Sequence, residues 1–363
     1  MYIEWAGEIL ANIGYGTFAR RVIKGLMANG IKVKLIPMEH YVPESSKITD
    51  PFWIMKIAES QQMAPAPIRV NCCIPPVAQL GAGKNIGYFM WETDNLPKAW
   101  IPLVRRYNQV WTGSKFSSNI VSQHNPNVYT VYPPTESKPA SRIELEGIDK
   151  DTILFTYVAM WIPRKNMEDL LTAFIAAFDG IDNVALVIKT WGGDNGVGFK
   201  QSVAQRVKDN IAGHIGIGKK PKLLLLNDVL PEQQVNNLIA RTNVYVSPSR
   251  GEGFDLPLTE AMAQGKIVVA NKFAAHSDYL TKENSLLYDY SLAPISSAMI
   301  PGYEVYQNWA RPSIDSMIEN MREAYNLAQT NNTALGDAAK KTCQEMFSVD
   351  KTVNTIKEAL TKV

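Results

Sequence analysis

The stretch SRGEGFDLPLTEAMAQG (249–265) sets Glu252 among glycines and places Glu260, after seven intervening residues, at the head of an apolar run. Two carboxylates at such spacing first suggest acid–base work on a glycosidic bond. Their settings argue against that. Gly251 and Gly253 mark a flexible loop, Asp255 is placed to cap a helix, and Pro257 suits its first turn. Glu260 would then sit early in that helix, where a carboxylate favours the dipole. Ala261, Met262 and Ala263 leave little polar face around it, so its charge calls for a specific partner. A pair of ligand hydroxyls would serve, as a ribose does for the acidic residue of dinucleotide folds.

Two other helix starts invite an anion. In PRKNMEDLLTAF (163–174), Asn166 is a natural N-cap, and Glu168 and Asp169 suit the first turn. Met167, Leu170, Leu171, Phe174 and, beyond it, Phe178 form a buried stripe. Arg164 and Lys165 crowd the positive end of that helix, a conflict that a bound phosphate dianion would resolve; the plainer reading points both cations into solvent. In NIGYGTFARR (12–21), Gly14 and Gly16 precede a helix expected from Thr17 and would let backbone N–H groups approach a ligand. A glycine turn before a helix is often only a turn. Together the three starts suggest a nucleotide-linked substrate, its diphosphate on helix N-termini and its ribose on Glu260.

Other candidates carry less. His276 follows the strand after the helix headed by Leu256 and reads as a structural histidine unless a ligand lies beside it, while His40, His124 and His214 have no partner pattern. Trp191, Gly192 and Gly193 suit a base pocket or plain packing. The triplet Asp149-Lys150-Asp151 has the form of a metal site but falls in an expected linker, so no metal is assigned.

The elements that must position these residues alternate along the chain. Strands are expected at 2–5, 31–37, 68–74, 86–91, 109–112 and 127–132. After a Pro-, Ser- and charge-rich stretch they resume at 152–160, 183–189, 222–228, 243–248 and 266–271. Helical periodicity lies between them and fills roughly 313–362. Near-continuous apolar strands separated by helices imply parallel sheets covered on both faces. The expectation is an α/β protein of two doubly wound, Rossmann-like domains facing a central cleft: 1–135, joined by 345–363; a linker, 136–151; and 152–344. The C-terminal helices cross back to the first domain. Ligands would lie at the carboxyl ends of the strands.

The chain has 363 residues, 46% of them hydrophobic and 20% charged, with a formal net charge of +2. That balance argues against a dedicated nucleic-acid partner. Three cysteines, two adjacent, form neither a disulfide framework nor a metal spacing, which suits a reducing cytoplasm. No apolar run is long enough to span a bilayer. Arg20, Arg21 and Lys24, or Arg105 and Arg106, offer peripheral contact with anionic lipid, against the plainer reading of a solvated face.

PRKN (163–166) and SPSRGEGFDLPLTEAMAQGKIVVA (247–270) resemble retaining glycosyltransferases of the GT-B class, group 1 or family 4 type, with their E-x7-E signature. GYFMWETDNLP (87–97) and VWTGSKFSSNIV (110–121) are more loosely similar to the N-terminal half of some members. The resemblance implies a GT-B fold and metal-free transfer of a hexose-type sugar from a UDP- or GDP-linked donor to a glycan, lipid or small-molecule acceptor, with no cofactor. It implies that Glu252 contacts the donor sugar, that Gly253, Phe254, Asp255 and Leu256 line the sugar and phosphates, and that Glu260 holds the ribose. Arg164 and Lys165 would neutralise the diphosphate, Gly14 and Gly16 would close the phosphate site, and Glu92 would serve the acceptor. Three departures stand out: Met160 sits near where many members have Arg, Asp255 stands where many have Gly, and a common histidine has no match around Trp91 and Glu92. A nucleotide-sugar 2-epimerase and a non-catalytic nucleotide-sugar binder remain as alternatives.

Overall fold

The computed structural model describes residues 1–38, 47–135, 140–190, 205, 207–209, 221–296 and 302–363. The chain divides into two compact units, Met1–Glu136 with Met346–Val363, and Ser137–Glu345.

In the first unit, six parallel strands pair in the order β2-β1-β3-β4-β5-β6: β1 Tyr2–Gly7, β2 Lys32–Pro37, β3 Ile68–Cys72, β4 Lys84–Phe89, β5 Gln109–Thr112 and β6 Val128–Thr130. Ile3 and Trp5 of β1 are fully buried and pack with Phe18, Val22 and Leu26 of the helix Gly14–Ala28. That helix begins three residues before the expected Thr17, with Gly14 in its first turn. The C-terminal helix Val349–Leu360 lays Val353, Ile356 and Leu360 into the same core. It approaches so closely that a Cβ on Gly25 would lie 2.6 Å from Val349. The only charged group among the described residues that is buried on β1 is Glu4, which is held by Arg69 at 2.6 Å and Lys34 at 3.8 Å.

The basic face expected on the first helix is corrected. Arg20 and Arg21 are buried and donate to backbone carbonyls, Arg20 to Ile9 and Ala11 and Arg21 to Pro134. Two guanidinium groups spent on carbonyls cannot meet lipid. Only Lys24 of the three is exposed, and it stacks over Phe52 and Trp53. Among the described residues no helix is long and apolar enough to cross a membrane.

The second unit repeats the plan in the order β12-β11-β10-β7-β8-β9, again parallel. Its strands are β7 Ile153–Val158, β8 Val184–Thr190, β9 Lys222–Asn227, β10 Val244–Ser247, β11 Ile267–Ala270 and the short β12 Leu286–Leu287. β7, β8 and β10 are buried throughout, as strands covered on both faces must be. An antiparallel hairpin, β13 Tyr290–Pro294 with β14 Asn308–Pro312, was not expected: β13 is mostly exposed and shows no period-two burial for a sequence reading to find. Both sheets are doubly wound and Rossmann-like, as expected from the alternation. The expected linker is described from residue 140, and Asp149 there pairs with Lys222 at 3.2 Å. His40, His214 and Trp191-Gly192-Gly193 lie outside the described residues.

Candidate active site

Three of the expected residues meet at the carboxyl edge of the second sheet. β7 ends at Val158 and runs into a 3-10 turn, Pro163–Lys165. β10 ends at Ser247 and runs through the loop to the helix Leu256–Ala263. Because β7 and β10 are neighbours, these two loops lie side by side. Arg164 Nη1 donates to Glu252 Oε2 at 3.1 Å and to the Gly251 carbonyl at 2.6 Å, and Lys165 Nζ donates to Glu252 Oε1 at 2.5 Å. The Arg250 amide donates to the Arg164 carbonyl at 2.8 Å and ties the loops further.

The glycine-flanked loop is not exposed: Gly251 to Asp255 are all buried, Glu252 being 4% exposed, whereas Glu260 is half-buried on the fifth residue of its helix. The cations beside the helix Met167–Ala177 are not in solvent either, since Glu252 already neutralises one of their two charges. Burial pushes the Glu252 carboxyl up, but Lys165 and then Arg164 outweigh it and hold it down at about 2. A carboxyl so depressed is ionised at neutral pH and cannot donate a proton there.

Neither expected N-cap caps. Asn166 and Asp255 both adopt left-handed backbone, with φ of 55° and 67°, and neither side chain reaches its helix. Asn166 instead donates to the Pro248 carbonyl at 3.2 Å and accepts from Arg250 Nη2 at 2.8 Å. Asp255 Oδ2 accepts from Ser247 Oγ at 2.8 Å and faces His276 Nε2 at 3.1 Å. The other ring nitrogen of His276, Nδ1, faces the Asn271 carbonyl at 3.1 Å. Both ring nitrogens therefore face oxygen atoms of the loop and of the strand end that it packs on. His276 is 1% exposed and holds the loop. Sequence reading left its role open and missed its partner; the signal was Asp255 itself, a charged residue where a left-handed turn prefers glycine.

Asp255 gives the helix Leu256–Ala263 no side-chain cap, and Gly253, Phe254 and Leu256 stand at its start. The Phe254 carbonyl accepts from Tyr279 Oη, which fixes the loop from behind. Tyr157 contributes a buried hydroxyl without a hydrogen-bond partner among the described residues, raised first by burial and then by Glu252 and Asp255.

Gly14, Gly16 and Glu92 belong to the first unit. Tyr15, between the glycines, accepts from the Met90 amide at 2.8 Å, and Glu92 is among the charges that act on its hydroxyl after burial. Gly16 has a structural reason to be glycine: a Cβ there would lie 2.0 Å from the Ala11 carbonyl and 2.6 Å from that of Glu8. At Gly14 a Cβ would meet nothing within 4 Å.

Residues 151–299 match the profile of the family "Glycosyl transferases group 1". No curated protein sequence matches the chain. Among solved structures, sucrose-phosphate synthase from Thermosynechococcus elongatus superposes with a TM-score of 0.68 at 13% identity, over 100% of this chain and 98% of that one. The Anabaena protein HepE, in complex with UDP and glucose, gives 0.65 at 14% identity over 99% of each chain. TarM from S. aureus, in complex with Fondaparinux, alpha-GlcNAc-glycerol and UDP, gives 0.55 at 13% identity over 80% of this chain. This chain spans only 55% of the length of TarM. The fold is GT-B.

Proposed function

With residues 151–299 a group 1 glycosyltransferase domain on a GT-B fold, we propose that the protein moves a hexose-type sugar from a nucleoside-diphosphate donor to an acceptor with retention of configuration. The observation that carries this reading is the Arg164–Glu252–Lys165 cluster beside the uncapped helix start at Leu256. Two cations against one carboxylate leave a net positive charge, and the amides of the helix start add to it. A diphosphate leaving group develops negative charge as its bond to the anomeric carbon lengthens, and fixed donors of this kind stabilise it without reorganising. They supply charge that a metal ion supplies in other enzymes.

Glu252 holds the two cations in place and contacts the donor sugar. Ionised and doubly paired, it is unsuited to act as a general acid. The acceptor oxygen forms the new bond on the face from which the phosphate departs, and the departing phosphate oxygen takes the acceptor's proton. Glu260 receives the ribose hydroxyls. The first unit, with Glu92, is assigned to the acceptor: a glycan, a lipid or a small molecule.

Two steps test this. A thermal-shift screen of UDP- and GDP-sugars identifies the donor, and a nucleotide-release assay follows it with and without candidate acceptors. The expected result is slow nucleoside diphosphate release alone and fast release with one acceptor. Conversion of the donor sugar into its epimer with no acceptor present would replace this reading with that of an epimerase.

A further inference from the structure

A polar cavity of about 530 Å³ opens in the second unit, lined by Thr152 and Ile153 before and at the start of β7, Asn183 before β8 and Asn243 before β10. It therefore sits at the amino edge of the sheet whose carboxyl edge carries Arg164, Lys165 and Glu252. It owes nothing to the function proposed above.

The walls carry more positive charge than the protein itself compensates. Arg142, Lys150 and Arg241 line the cavity, with Asp151 the one carboxylate among the lining residues. Lys150 is taken up by Glu144 at 3.0 Å on the exposed surface. Arg241 is 8% exposed and is fixed by the Asp149 carbonyl at 2.8 Å and the Thr152 carbonyl at 3.3 Å, contacts that orient its guanidinium without neutralising it. Arg142 has no ion-pair partner among the described residues. Its charge crowds both Arg241 and the neighbouring Lys266: after burial, Arg142 is the next cause that lowers each, with Lys266 brought down to about 8. Asp151 opposes this at Arg241, but less strongly than Arg142 acts.

A second observation points the same way. Thr152 is 2% exposed and lines the cavity, yet its hydroxyl has no hydrogen-bond partner among the described residues. A buried hydroxyl left unmade is costly, and it becomes an asset when a ligand supplies the missing partner. Asn243 spends its side-chain oxygen on the Leu154 amide at 3.0 Å, which leaves its NH2 group for a ligand acceptor.

We propose that this cavity binds a phosphate-bearing, polyhydroxylated small molecule, with its phosphate between Arg142 and Arg241 and its hydroxyls on Thr152, Asn183 and Asn243. Planar guanidinium forks suit phosphate oxygens, and the uncharged donors and acceptors around them suit hydroxyls. The volume falls in the range of small-molecule sites and exceeds what a bare phosphate fills.

Calorimetric titration of the full chain with glucose 6-phosphate, glucose and inorganic phosphate tests the assignment. Glucose 6-phosphate binds, inorganic phosphate binds more weakly, and glucose does not bind. Arg142→Ala weakens glucose 6-phosphate binding about tenfold, the value of one hydrogen bond to a charged group. Thr152→Val weakens it several-fold without lowering the melting temperature of the free protein, because that hydroxyl has no internal bond to lose. Lys165→Ala binds as the wild type does. Absence of binding by both phosphate probes, or undiminished affinity in Arg142→Ala, would overturn the proposal. Loss of binding in Lys165→Ala would also overturn it, by placing the phosphate at the carboxyl edge.

Discussion

Glu252 keeps its charge in a place where burial alone would remove it. Its carboxyl is held at about 2, against an ordinary 4.5, because Lys165 and Arg164 outweigh the cost of desolvation. The folded value lies below the unfolded one, so as pH falls the unfolded chain takes up the proton first. The stabilisation is whole above about pH 4.5 and is lost as pH falls toward 2. Urea unfolding across that interval should show wild type losing a few kcal/mol that Glu252→Gln does not lose; parallel acid limbs would contradict the ion-pair account. At neutral pH, Glu252→Gln should itself cost about 3 kcal/mol, since it leaves two cations without their counterion. The identity of these three residues was legible in PRKN and GEGF; their burial was not. Glycines on both sides of Glu252 signal a loop, and only the adjacency of β7 and β10 reveals that the loop is packed against the turn at Arg164. Glu260 erred in the other direction: apolar neighbours in sequence did not translate into burial, because the side of a short helix is set by its packing.

The loops and helix starts that frame the site rely on unusual backbone. Asp255 at φ 67° occupies the left-handed region, at a cost of about 1–2 kcal/mol for a residue bearing Cβ, and Ser247 and His276 compensate. Asp255→Ala keeps the strain and removes both partners, whereas Asp255→Gly removes both. Equilibrium unfolding should therefore find the alanine variant less stable than the glycine variant by about 1 kcal/mol; equal stabilities would mean that the strain is absent. The two glycines of the first helix should separate as well. Gly16→Ala would drive a Cβ into two backbone carbonyls and destabilise by roughly 1–3 kcal/mol, while Gly14→Ala, with open space around it, should be neutral or slightly stabilising. A stable Gly14→Ala protein with weakened donor binding would mark Gly14 as a ligand contact. At this scale the strands were easy to read, QVWT coinciding with β5. The N-caps were not. Asn and Asp are favoured both as caps and in left-handed turns, and at Asn166 and Asp255 the second preference wins because each side chain finds a tertiary partner.

The two units are separable by composition because each sheet must bury its own apolar strands, and the Pro-rich stretch between β6 and β7 interrupts that pattern. The last helix joins the first unit, as expected for 345–363. Its amphipathic periodicity did not reveal the partners it meets there, Gly25, Val22 and Leu26. Deleting residues 349–363 removes several fully buried side chains, each contributing about 1.5–3 kcal/mol. Limited proteolysis should then degrade the first unit while a fragment spanning β7 to β12 survives; uniform resistance would contradict this division of the chain. In the proposed function, the carboxyl edge of the second unit grips a nucleoside diphosphate through Lys165 and Glu260. The most direct test is calorimetric titration of wild type, Lys165→Ala and Glu260→Ala with UDP and GDP in the presence of EDTA, with each fold checked by circular dichroism. Wild type should bind one of the two nucleotides, and both folded variants should bind it about tenfold or more weakly. Undiminished affinity in both variants would contradict that grip.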